Sequence, residues 1–199
     1  MQLGVKRLCI AALAIGVAAL PQIAAAFALP SVDLIAEFRV LCMAHDADRA
    51  SALSEAAARR WKPTRPEAYA RGGETYLDAR VLEDSHGAQL LLVDERVYEA
   101  SGLSIKAREC TVMATVDDPR AIIEFAESLA GSVKPIDQDA LGRHWVYAQT
   151  ESGPKPIITV DFATQAISAG RYRELLVSDQ QTGNPGGNTA LKLSFGSRP

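Results

Sequence analysis

Histidine and cysteine, which carry much of metal and nucleophile chemistry, are scarce here, at three of each in 199 residues. A zinc site would need CxxC or a Cys/His cluster, and neither accompanies Cys42 and Cys110. The H-E-x-x-H, G-x-S-x-G, EF-hand and dinucleotide fingerprints are missing as well. Charge of one sign is nowhere concentrated. The 21 basic and 24 acidic residues are scattered, so no basic stripe exists to follow a phosphate backbone. That excludes nucleic acid as the main partner and offers nothing to an anionic membrane surface. Long apolar runs are lacking too. Leu8 to Leu20 has 13 residues, short of the about 20 that a spanning helix needs.

That short run has telling neighbours. Lys6 and Arg7 precede it, Pro21 ends it, and Ala24-Ala25-Ala26 and Ala26-Phe27-Ala28 both fit a small-x-small cleavage site. Residues 1–26 therefore read as a secretory signal peptide, with cleavage after Ala26 or Ala28 and no stable membrane insertion afterwards. Cys9 has only a few residues before it, among them Lys6 and Arg7, so it is not a lipoprotein cysteine. The remaining 27–199 is one domain by length and can bury roughly 70% of its unfolded surface. Loss of Lys6 and Arg7 takes the net charge from −3 to −5. The expected location is periplasmic or secreted.

Removal of Cys9 leaves Cys42 and Cys110. Two thiols in an oxidising compartment pair; the alternative is two separate buried cysteines. A bridge would close a 69-residue loop, a constraint of about 4 kcal/mol in the chain-entropy account.

Ser31 can cap a first helix whose stripe is Ile35, Phe38 and Cys42. Asp46 or Asp48 can cap a second, running to about Trp61 with Ala50, Leu53, Ala57 and Trp61 on one face, ended by Pro63 and Pro66. Strands follow around Leu77–Val81, Leu90–Val93 and Cys110–Val116, with a turn at Asp84-Ser85-His86-Gly87. Asp117-Asp118-Pro119 starts a helix with the inward stripe Ile122, Ala126 and Leu129, and Gly131 stops it. A second set of strands begins near Arg143. It includes an alternation at Ile158, Val160 and Phe162, a stretch 166–178 that Gly170 and the lack of a cap tilt towards strand, a Gly/Asn/Pro loop from Thr182 to Asn188, and a last strand at Leu191–Phe195. The order α-α-βββ-α-ββββ predicts an α+β fold, an antiparallel sheet with helices packed on one side.

Few residues offer chemistry. His45 with Asp46 or Asp48 could make a base and its orienting carboxylate, though both aspartates sit where helix caps belong. Asp84, Ser85 and His86 are the residue types of a triad, but adjacent residues seldom converge on one point. Ser152-Gly153-Pro154-Lys155 matches S-x-x-K in letters only, because Gly-Pro makes a turn. Tyr69 stands out among the aromatics: it lies in a polar connector between Pro66 and Gly72, where a contact role is plausible.

Phe38-x-x-x-Cys42, an Ala-rich helix ending at Trp61, and Cys110-Thr111-Val112 ahead of a helix together resemble a class of small exported proteobacterial proteins with two cysteines. The resemblance implies export and pairing of the cysteines, and no activity. The reading that follows is an exported, non-enzymatic binding or envelope accessory protein. It has no cofactor or metal, and its partner is a protein or small molecule of the cell envelope. Its candidate contacts are Tyr69, His45 and Asp48. The rival readings are a small periplasmic hydrolase using His45 with Asp46 or Asp48, and an inhibitor or immunity-like partner of another exported protein.

Overall fold

The computed structural model describes residues 28–66, 76–84, 87–100, 103–138, 142–179 and 188–199. The signal segment, Tyr69, the turn residues 85–86 and the loop 182–187 lie outside them.

Helix α1 (Ser31–Phe38) runs into a π-helical segment, Arg39–Met43. Its fully buried residues are Leu34, Phe38, Leu41 and Cys42, with Ile35 only partly buried. Ser31 is not the cap. Pro30 holds that position, and the Ser31 side chain reaches Asp117 instead. Helix α2 (Arg49–Ala58) begins as expected, with Asp48 Oδ2 accepting from Ser51 N at 2.9 Å. Its buried residues are Ala52 and Ala56, not Ala50 and Ala57. The helix ends before Trp61: Arg60 turns left-handed (φ 69°), and Trp61 N closes back on Ala56 O at 2.9 Å. Trp61 is thus folded under the helix end, not carried on its face.

Strands β1 (Lys62–Thr64), β2 (Asp78–Asp84), β3 (Gly87–Ala100) and β4 (Leu103–Ala114) form a meander. The long β3–β4 hairpin extends well past the apolar run at 90–93. Its outer part carries little of the core, and Val97 there is 58% exposed. Helix α3 (Pro119–Ala130) starts on Asp118, whose Oδ1 accepts from Arg120 N at 3.0 Å, and stops at Gly131 (φ 60°). Strands β5 (Asp137–Gln138), β6 (Gly142–Thr150) and β7 (Gly153–Pro156) come next.

The alternation at 158–162 is not a strand. Thr159 Oγ1 accepts from Phe162 N, and helix α4 runs Val160–Ser168. Ile158 and Val160, read as one face of a strand, are 81% and 60% exposed. Gly170 (φ 64°) ends α4, and Arg171 N bonds Ala166 O at 2.7 Å. The glycine read as favouring a strand is therefore the residue that closes a helix. Strands β8 (Tyr172–Asp179) and β9 (Thr189–Ser197) complete the chain.

The fold is α+β. One antiparallel sheet runs β1-β2-β3-β4-β9-β8-β6-β5, with β7 also paired to β6. Helices α1, α2 and α3 cover one face, where Val93, Cys110, Leu193, Leu175 and Trp145 sit in cross-strand register, each buried. Phe38 and Phe125 meet edge to face at 6.2 Å. Cys42 and Cys110 form a disulfide inside this layer, Cα atoms 5.4 Å apart. Helix α4 lies against β6, β8 and β9, and its buried Ala166 and Ile167 stand outside the main cluster. Proline, which cannot donate to a ladder, occupies the outermost strands: Pro63 in β1, Pro154 and Pro156 in β7. No helix among the described residues is long and apolar enough to cross a membrane.

Candidate functional site

Each strand of the central sheet alternates, so the residues turned away from α1–α3 form a second surface. Asp94, Glu109, Ser194 and Glu174 share one cross-strand row there; Leu92, Thr111, Lys192, Leu176 and His144 share the next. A concavity of about 420 Å³ opens on these rows, lined by Arg96, Glu109, His144, Glu174, Leu176, Lys192 and Ser194. Its residues come from five adjacent strands, a span of roughly 19 Å at the usual strand spacing.

Glu109 is the hub. Oε1 takes Arg96 Nη2 at 2.7 Å and Oε2 takes Lys192 Nζ at 2.8 Å. Both oxygens are engaged, so this carboxylate holds two cations in place. Arg96 Nε also stands 3.7 Å from Asp94 Oδ2. Burial pushes the Asp94 carboxyl up, against the Glu95 N–H and the Arg96 and Lys192 charges. Glu174 Oε1 accepts from the Tyr172 hydroxyl at 2.5 Å, and Oε2 lies 3.6 Å from His144 Nε2, an electrostatic contact longer than a hydrogen bond. Burial alone would raise the Glu174 pKa. The contacts with His144 and Tyr172 outweigh it and hold the carboxyl below its ordinary value. The Thr111 hydroxyl, opposite Lys192, is buried and has no hydrogen-bond partner among the described residues.

This arrangement orients polar groups, and among the described residues that line it Ser194 and His144 are not side by side. β8 stands between β9 and β6, so Glu174 separates Ser194 from His144, whose backbones are two strand spacings apart, roughly 10 Å. A serine nucleophile needs the imidazole beside its hydroxyl.

The sequence candidates fall elsewhere. His45, Asp46 and Asp48 lie in one turn between the π-helical segment and α2. Asp48 N bonds His45 O at 2.8 Å. The Asp48 carboxylate is engaged as the cap, and the Ser51 N–H lowers its pKa, with help from Arg108 and His45 charges. Asp46 and Ala47 both take left-handed backbone, φ 50° and 53°. His144 is on the opposite face of the sheet from this turn, so those two histidines do not converge. Among the described residues no group of three His, Cys, Asp or Glu side chains could hold a metal ion. Cys42 and Cys110 are brought together; Tyr69 and His86 lie outside the described residues.

Sequence reasoning missed the charged rows. The signal was present in β8 and β9, where Glu174 and Lys192 interrupt otherwise apolar alternation, but the register that joins them spans five strands. No family model, curated protein or solved structure matches the chain.

Proposed function

We propose that this protein is an exported, non-enzymatic binding module whose small polar ligand occupies the cleft over Glu109, Glu174 and Lys192. The observation that carries this reading is the concavity of about 420 Å³, a size that suits a small molecule, with charged groups already fixed by one another. Preorganised polar groups of this kind bind without paying to order their own side chains. Work in the periplasm or outside the cell is supported by the leader-like N-terminus and by the core disulfide.

Native mass spectrometry of protein recovered from cell envelopes tests both parts. The expected mature chain begins at Phe27 or Leu29 and carries a small molecule that Lys192→Met releases. A chain retaining residues 1–26 overturns export. A ligand-free protein whose cellular role survives both Lys192→Met and Glu174→Gln overturns the cleft.

A further inference from the structure

A second row of residues, on the helix-covered face and towards the end of the sheet, has no part in the cleft. Arg108 on β4 pairs with Phe195 on β9, Phe195 with Arg173 on β8, and Arg173 with Tyr147 on β6. Both guanidinium groups lie against the one ring, Arg173 Cζ 4.0 Å and Arg108 Cζ 5.7 Å from its centroid, so the two are under about 10 Å apart. Phe195 and Tyr147 are buried, and both arginines are half-buried.

Among the described residues these two arginines close no direct ion pair, although Asp48 acts on Arg108 and Asp46 on Arg173 through space. Arg49, Arg59, Arg80, Arg96 and Arg143 each reach a carboxylate. Among the described residues neither Arg108 nor Arg173 has one within 4.0 Å. Arg173 Nη1 is spent on the carbonyls of Gly170 and Tyr172 at 2.8 and 2.9 Å, which fixes its plane and leaves the Nε and Nη2 edge. The facing carboxylates are Asp46 and Asp48 of the turn, both beyond ion-pair distance, and Glu95, which Lys106 already holds at 2.5 Å. Burial lowers the Arg173 pKa, only partly opposed by Asp46. Partly desolvated cations without a direct ion pair are costly, and an anion removes that cost.

We propose that Arg108 and Arg173, with the Tyr147 hydroxyl as a third donor, bind a tetrahedral oxyanion: phosphate, free or as a phosphomonoester. Two forks around one ring favour one shape of anion. A carboxylate presents two oxygens in one plane, which a single guanidinium fork satisfies. A tetrahedral anion presents oxygens to two forks at once, placing their carbons roughly 8 Å apart at ordinary hydrogen-bond lengths. The Cys42–Cys110 bridge anchors the turn that carries Asp46 and Asp48 to β4, where Cys110 lies two residues from Arg108.

Titration calorimetry of the disulfide-intact protein with inorganic phosphate, glycerol 3-phosphate and sulfate, each against sodium chloride at matched ionic strength, tests this. The expected result is saturable phosphate binding, weakened at least tenfold by Arg108→Gln and by Arg173→Gln and unchanged by Arg143→Gln. Tighter binding of the ester than of phosphate marks an ester as the ligand; equal or weaker binding marks free phosphate. Loss of binding with Lys192→Met and not with the arginine variants would move the anion to the cleft and overturn the proposal. So would heats that track ionic strength alone. Should a variant fail to fold, the Nε–H resonances of Arg108 and Arg173 in the unaltered protein decide: both shift with phosphate, or the site is not there.

Discussion

The hydroxyl of Ser31 donates to Asp117 Oδ1 at 2.8 Å across 86 residues of chain. Ser31 N donates to the same oxygen, also at 2.8 Å. Asp117 therefore does not cap its own helix. It holds the first turn of α1 against the start of α3, where Leu29 is already bonded to Thr115 and Asp117 backbone at 2.9 and 3.0 Å. The Ser31 hydroxyl first, then Ser31 and neighbouring backbone N–H groups, lower the Asp117 pKa below its ordinary 3.8. A depressed carboxyl stabilises above its unfolded pKa and loses that contribution as pH falls through the folded one. Asp117→Asn is expected to lower stability by about 1 kcal/mol at neutral pH, because the carboxylate is exposed and its bonds are worth their modest net value. Urea midpoints for both proteins should converge below about pH 4.

Tyr172 shapes the cleft through Glu174. Tyr172→Phe removes the phenol that donates to Glu174 Oε1 while keeping the ring. The Glu174 pKa should rise towards its ordinary 4.5, read by carbon NMR of the carboxyl. The stability Glu174 supplies, present above that value and lost as pH falls, should then disappear at higher pH than in the unaltered protein. An unmoved titration would show that His144 and Lys192 set the carboxylate without the phenol.

Gly142 has no room for a side chain. A Cβ there would lie 2.6 Å from the Val177 carbonyl oxygen on β8. Gly142→Ala is expected to cost about 1–3 kcal/mol, the range for overpacking against a backbone that cannot give way. Denaturant midpoints check this, and amide exchange should show the loss concentrated in the β6–β8 ladder.

Removing the bridge by Cys42→Ala with Cys110→Ala is expected to cost about 4 kcal/mol. Unfolded, unreduced protein should show no titratable thiol from either residue. Amide exchange in the turn at 44–48 should rise more than in α3, since that turn follows directly on Cys42.

Some of this fold is legible residue by residue. Asp118, Pro119 and Gly131 each have one favourable place in a helix, and α3 occupies all three. Asp48 is equally plain as a cap. The misreading at 158–162 comes from a period-two pattern only three apolar residues long, overruled by a threonine cap and a closing glycine. The length of β3 and β4 is hidden because the outer hairpin has little core to report through apolar spacing. The two charged surfaces could not be read at all: Arg108, Tyr147, Arg173 and Phe195 become neighbours only through the register of four strands, and nothing local to any of them announces the others.

Pro63 on one border of the sheet and Pro154 and Pro156 on the other bear on how the molecule meets its surroundings. An open antiparallel border with unbroken amides can recruit another chain and propagate fibres. Here β1 has three residues with Pro63 among them, and β7 has four with Pro154 and Pro156, so these two borders offer few consecutive amides for such growth. The same device narrows what those two borders offer to an extended peptide docking by strand addition.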